Sequence, residues 1–365
     1  MRKVRRSAAR WLRATVSTSV LACACVLGFP TESGAQDSKR DPPQCWSPEM
    51  LAAKPDDHKI QSGGRSALRE PPRRTPVAGQ PLDPSRRLAI RRVDLPPGLK
   101  LVALTFDLCE QPHEIAGYQG AIVDYLRAER VKATFFAGGK WMLTHRDRTQ
   151  QLMSDQLFEI GNHSWEHRNL RLLRGPALVS EIENTQVSYE QVREELGARQ
   201  CLGSDGRRPA VQSSPGRLSL FRFPFGACDD HSLGAVGEMG LKAIQWDVSS
   251  GDPWSGQTPE RMTKGVLDGV KPGSIVLFHA NGRGWHTSAA IRAIIPALRA
   301  KGYRFVTVSE LLDSGKPVYS RTCYDSRPGD TDRYDALALR LNGQYARQKA
   351  KSETGGFRTE VYKQP

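Results

Sequence analysis

From Leu99 onward the chain changes texture, and short, almost purely apolar runs alternate with longer stretches of mixed polarity. Residues 101–106, 133–137, 157–161, 218–223, 243–246, 274–278 and 303–308 read as seven buried strands. Between them, residues 117–130, 140–153, 176–196, 232–239, 258–270 and 288–301 read as helices, several opened by Ser, Thr or Pro. Strands that alternate with helices imply a parallel sheet with right-handed crossovers, open or closed into a barrel. If it closes, functional groups belong at the carboxyl ends of the strands.

The polar residues obey that rule. The first run ends in Asp107, followed by Leu108, Cys109 and Glu110, and a carboxylate there can bind a metal or take a proton from water. The third leads to His163-Ser164-Trp165-Glu166-His167. Two imidazoles at that spacing share a face if the backbone is helical, and both can then reach one cation at about 2.0–2.1 Å. The fourth delivers Arg222-Phe223-Pro224-Phe225-Gly226, where proline and glycine shape a turn and arginine can clamp a carboxylate. The fifth delivers Trp246-Asp247 and then Asp252-Pro253-Trp254, and the sixth delivers His279. Histidine pairs at this spacing arise by chance on ordinary helices; the enzyme reading rests on ionisable residues gathering at five strand ends while the strands stay hydrophobic.

The flanks read differently. Residues 1–35 carry a basic front, an apolar run centred on Val20 to Phe29 and small residues at Ser33-Gly34-Ala35, which predicts a cleaved export signal rather than a stable membrane span. Residues 36–96, rich in Pro, Arg, Ser and Gly, predict a tether or loosely packed arm. A catalytic domain over 97–315 and a basic polar tail over 316–365, with a helical stretch, complete the expected organisation. Beyond the signal lie Cys45, Cys109, Cys201, Cys228 and Cys323; an odd count leaves at least one thiol free, and Cys201 with Cys228 would close a loop, although spacing alone fixes no pairing. The segment 197–217, full of Gly, Ser, Pro and Arg, is expected near the cleft, tuning substrate choice. The formal charge of +14 at pH 7 suits an anionic envelope or polymer. Arginine is scattered without interleaved aromatic residues, which argues against nucleic acid.

Taken together these residues resemble the NodB-homology polysaccharide deacetylases of carbohydrate esterase family 4, over roughly Leu99 to Leu312. The resemblance implies a distorted (β/α) barrel of about seven parallel strands, a divalent metal (zinc first, with cobalt, manganese or nickel as substitutes), and hydrolysis of acetyl groups on a sugar polymer. His163 and His167 resemble the family's two histidine ligands. Arg222 resembles the arginine that steadies the catalytic aspartate. Asp252-Pro253-Trp254 is similar to the Asp-Trp element with one proline intervening, and Leu277-Phe278-His279 matches the leucine-histidine motif.

The first motif departs from the family. Thr105-Phe106-Asp107 is followed by Leu108, where the family has a second, metal-binding aspartate. Asp107 can serve as both ligand and base, water can fill the position, or Glu110 or Cys109 can swing in; the favoured reading has Asp107 facing metal and water. His279, charged through Asp252, then protonates the leaving amine, a backbone N–H near Phe225 assists the oxyanion, and Trp254 and Leu277 line the acetyl pocket. The implied substrate is an acetylated N-acetylglucosamine polymer such as peptidoglycan, poly-N-acetylglucosamine or a chitin-like chain, met in the periplasm or after secretion. Two rivals are a glycan-binding pseudoenzyme and a metal-dependent amidohydrolase for small amides.

Overall fold

A computed structural model describes residues 44–62, 70–203, 205–340 and 343; the expected export signal over 1–35 lies outside them. Seven strands close into a ring: β1 (Ala89–Asp94), β2 (Leu101–Leu108), β3 (Ala133–Ala137), β4 (Phe158–Asn162), β5 (Leu220–Phe221), β6 (Lys242–Ile244) and β7 (Ser274–His279). The order around the ring is β2-β3-β4-β5-β6-β1-β7 and back to β2. Every pairing is parallel except a one-residue antiparallel bridge from Ser274 to Arg92. The expected barrel is therefore present, with one strand exchanged. Residues 303–308 contribute only Arg304–Phe305, beside Leu101 and Val102, and the ring's seventh place belongs to Ala89–Asp94, within the segment expected to be a tether or arm.

That strand escapes a hydrophobicity reading because Arg91-Arg92 interrupts it. Arg91 is nevertheless buried: its guanidinium lies 3.5 Å from the centre of the Tyr324 ring and donates to the carbonyls of Tyr324 and Asp325. The tail thus supplies the acceptors that a buried cation requires. It also adds β8 (Lys316–Ser320), antiparallel to β1.

Strand β2 is buried along its whole length, so its two rows of side chains need two apolar partners. Val102, Leu104, Phe106 and Leu108 join the cluster packed beneath the helices. Leu101 and Ala103 face a separate inner cluster with Phe136, Leu220, Trp246, Ile275 and Leu277. Further along the inner row the apolar residues give way to Thr105 and Asp107, so the barrel is plugged below and polar at its carboxyl end.

The helices around the ring include α1 (Gly120–Ala128), α2 (Gly139–Thr144), α3 (Arg146–Met153), α4 (Gly175–Ala198), α5 (Asp230–Glu238), α6 (Pro259–Gly269) and α7 (Thr287–Ala300). Side chains cap their starts: Thr258 accepts the Arg261 N–H ahead of α6, while α5 begins ahead of the expected Ser232, with Asp229 as cap and Ser232 completing a capping box. The single helix expected over 140–153 is divided at His145 into α2 and α3.

Two disulfides fasten the flanks, Cys45–Cys201 and Cys228–Cys323, in place of the loop closure between Cys201 and Cys228 considered from sequence; Cys109 is unpaired. The described part of the arm is packed, with Arg148 donating to the carbonyls of Met50, Leu51 and Ala52 and to Asp57. The segment 197–217 lies on the opposite pole from the expected cleft. It runs from α4 into β5, and a helix-to-strand connection enters at the amino end of a strand, here against Ser154 and Gln156 ahead of β4. Cys45→Ser with Cys201→Ser is accordingly expected to lower unfolding free energy by about 2–4 kcal/mol in a denaturant melt, while kcat/KM moves less than threefold.

Candidate active site

The carboxyl ends of β2, β4, β5 and β7 meet over the inner plug. Cross-strand register sets Asp107 beside His279 on one side and Phe136 on the other. Where β5 ends, the Arg222 N–H bonds the Asn162 carbonyl of β4 at 2.8 Å. The Arg222 side chain, fully buried, passes back through the barrel: Nη1 donates to Asp107 Oδ1 and to Thr105 Oγ1, both at 2.8 Å, while Nε and Nη2 reach the carbonyls of Ile244 and Gln245 at 3.4 Å. Its guanidinium also lies 4.0 Å from the centre of the Phe136 ring. Burial lowers the arginine pKa, and the Asp107 carboxylate opposes that fall.

The histidine segment is a built loop, contrary to the helical face expected from spacing. Ser164 and His167 both have left-handed backbones, with φ of 63° and 58°. The loop is held from within: Asn162 Oδ1 accepts the Ser164 N–H at 2.9 Å, Ser164 Oγ accepts the His167 N–H at 3.1 Å, and Glu181 on α4 accepts the Glu166 N–H at 3.2 Å. Burial, reinforced by Glu166, raises Glu181 to about 7. These contacts bring the two imidazole centres to 5.0 Å, so the pair converges by loop geometry.

His163 Nδ1 donates to the Arg222 carbonyl at 2.9 Å, which turns the Nε2 lone pair inward. That Nε2 is buried without a hydrogen-bond partner, 3.4 Å from Asp107 Oδ2, and His167 Nδ1 is likewise buried and unpartnered. Burial lowers the pKa of His163, against the pull of the Asp107 charge, and drives that of His167 well below its ordinary value. A divalent cation fits these orphaned donors, which are suited to imidazole-seeking metals. One ligating atom each from Cys109, His163 and His167 lies within 4.8 Å of the others. Glu110, weighed as a third ligand, faces elsewhere: Oε2 accepts from Ala116 and Thr144, and Oε1 lies 3.6 Å from Lys140.

Across the site, His279 Nδ1 and Asp252 Oδ1 are 2.8 Å apart, and Asp252 Oδ2 accepts the His279 N–H and the Thr287 hydroxyl, both at 2.7 Å. Burial works against a charged His279, but the Asp252 charge and hydrogen bond outweigh it and the pKa is raised. Asp247 lies elsewhere, capping the start of β7 through the Ile275 N–H and Ser274 hydroxyl.

The walls combine expected and unexpected residues. Phe225 has a left-handed backbone with φ of 61°, and its ring rests edgewise on His167 at 4.6 Å. Such strain costs about 1–3 kcal/mol and persists where surrounding structure enforces it. Behind Phe225, at 5.4 Å, stands Tyr334 of the tail, a residue no motif singled out. Leu277 is buried in the inner plug, two residues below His279 on the same strand. Trp254, expected in the acetyl pocket, is instead 61% exposed, with Arg261 5.3 Å from its ring centre. Trp285, half exposed, joins that rim by donating its backbone N–H to the Asp252 carbonyl at 3.0 Å.

The polysaccharide deacetylase family model matches residues 94–244, a span that holds Asp107, His163, His167 and Arg222. A chitooligosaccharide deacetylase of Azorhizobium caulinodans is 29% identical over 214 residues, covering 55% of this chain and 90% of that protein. A peptidoglycan-N-acetylglucosamine deacetylase of Bacillus cereus is 30% identical over 223 residues, covering 60% and 91%. Against the longer peptidoglycan-N-acetylglucosamine deacetylase of Listeria monocytogenes, at 30% identity, the chain spans 42% of the relative's length. Among solved structures, a mutant of BA3943, described as a CE4 family pseudoenzyme with restored enzymatic activity, is similar at 25% identity and a TM-score of 0.50, covering 64% of this chain and 74% of that one. Deacetylases of this family are metal-dependent in general. With its barrel, its strand-end site and relatives matched over nine-tenths of their length, the chain belongs to the polysaccharide deacetylase family.

Proposed function

We propose that the protein removes N-acetyl groups from an N-acetylglucosamine-containing polysaccharide. The observation that carries this reading is the pairing, across one barrel mouth, of an Arg222-held Asp107 with an Asp252-held His279, beside two histidines whose inward nitrogens lack partners.

An amide resists water because its carbonyl is a weak electrophile and its amine a poor leaving group. A divalent ion held by His163 and His167, zinc by the chemistry of the donors, would polarise the acetyl carbonyl and acidify water. The chain's own groups supply the proton transfers. With Oδ1 fixed by Arg222, Asp107 has Oδ2 available to accept the proton of the attacking water. His279, tied through Nδ1 to Asp252, presents its Nε2 proton to the departing amine. Leu277 forms the floor under the acetyl methyl group, and a backbone N–H at Phe225 serves the oxyanion, a contact typically worth about 3–4 kcal/mol.

Substrate class follows from the rim. Trp254 and Trp285 expose broad apolar faces beside Asp252, which suits stacking on successive sugar rings better than enclosing a small amide. The net positive charge suits an anionic cell-wall polymer. Two disulfides among the described residues fit an exported, periplasmic or secreted protein, and among those residues no helix is long and apolar enough to cross a membrane. A glycan-binding pseudoenzyme is the second reading, favoured by Leu108 at the position of the family's second aspartate.

Acetate release from an N-acetylglucosamine oligomer or peptidoglycan is expected, with loss of at least a hundredfold after chelation, in His163→Ala and in Asp107→Asn. Full activity in chelated His163→Ala overturns the reading, and metal binding without acetate release supports the pseudoenzyme. Asp252→Asn tests the proton donor through the pH profile of kcat/KM. His279 works protonated, its pKa is raised by Asp252, and activity falls as pH rises through that pKa; removing the charge moves the alkaline limb to lower pH. An unmoved alkaline limb excludes His279 as the acid.

A further inference from the structure

Leucine at position 108 removes the family's aspartate ligand but leaves its strand intact. Because β2 continues through Leu108, alternation sends that side chain outward, where it joins the apolar cluster beneath the helices. The inward row Thr105, Asp107 therefore continues to Cys109, one residue beyond the missing carboxylate. Cys109 is buried at 2% exposure and belongs to none of the three apolar clusters. Among the described residues it is the one cysteine outside a disulfide.

Its surroundings are those of a ligand. Its ligating atom lies within 4.8 Å of those offered by His163 and His167, a span one ion can bridge with modest side-chain rotation. The other two members supply an independent sign, since His163, 1% exposed, aims an unpartnered Nε2 into the site and His167 holds a buried, unpartnered Nδ1. The buried Asn281 donates its Nδ2 to Cys109 Sγ at 3.0 Å and to the Cys109 carbonyl at 2.7 Å, fixing the sulfur as an acceptor. Metal ligands are usually oriented by such outer hydrogen bonds. Asp107, by contrast, has one oxygen committed to Arg222.

We propose that Cys109 is the third protein ligand, giving a Cys-His-His metal centre in which sulfur replaces the family's carboxylate and Asp107 is left to act as base. On binding, an S–metal bond forms and the thiol proton passes to solvent. A thiolate beside two imidazoles selects zinc or cobalt over the harder manganese and magnesium. The inference rests on the metal reading of this site, but its test does not depend on turnover.

Full-length protein stripped with a chelator and titrated with cobalt(II) is expected to show a sulfur-to-cobalt charge-transfer band in the near ultraviolet that saturates at one equivalent. Cys109→Ser should lose the band and bind zinc at least about tenfold more weakly in a competition titration, since even partners of ligands cost 10–100-fold. Cys109→Asp should recover zinc affinity without the band. A wild-type cobalt spectrum with nitrogen and oxygen ligation alone overturns the proposal, as does a band that survives in Cys109→Ser. If Cys109→Ser fails to fold, the wild-type spectrum and Cys109→Asp decide. A sulfur-ligated metal in a protein that releases no acetate would refute the proposed deacetylation and leave this centre standing.

Discussion

The Arg222–Asp107 ion pair is the constraint on which the site depends. Arg222 gives its backbone N–H to β4, its carbonyl to His163, and its guanidinium to Thr105 and Asp107 on β2 and to the carbonyls at and just after β6. One residue thereby sets the position of the proposed base, the tautomer of a proposed histidine ligand and the spacing of the barrel mouth. Burying such a pair gains little net stability, but removing one partner alone typically costs about 3–5 kcal/mol because a charge is stranded. The pair is therefore better understood as positioning than as reinforcement.

Sequence disclosed the site more readily than the frame around it. The candidate residues Asp107, His163, Arg222 and His279 were legible because each ends or follows a buried strand with a clear hydrophobic run, and strand ends are where a barrel gathers its chemistry. The shape of the histidine loop was hidden, since left-handed backbones at Ser164 and His167 are enforced by Asn162 and by tertiary contacts rather than by local propensity. Strand β1 was hidden for a related reason: Arg91 reads as solvent-seeking until the carbonyls of Tyr324 and Asp325 are known to satisfy it. Tyr334 behind Phe225 and the disulfide partners likewise belong to tertiary structure, for which the one-dimensional pattern carries no signal.

The departure at Leu108 illustrates how a strand tolerates the loss of a conspicuous residue. An outward leucine adds to the apolar packing beneath the helices, while the inward row continues to a different side chain at the next position. Family resemblance alone marks a missing carboxylate, whereas the alternation of the strand underlies the proposed shift of the ligand by one residue. Fold and function are separable for the same reason: an unchanged barrel can carry a changed donor set.

Strand β1 carries a consequence for how the molecule is made. It closes the ring by pairing Ala89 and Ile90 with Ala243 and Ile244 on one side, touching β7 on the other, and receiving β8 along its length. All of its neighbours come from the far half of the sequence. The sheet partners of this strand all lie at Lys242 or beyond, so closing the ring carries the entropy of a long loop. Without β1 the ring would stand open between β6 and β7, the strand that ends in His279, so closure of the ring and the shape of the mouth are linked.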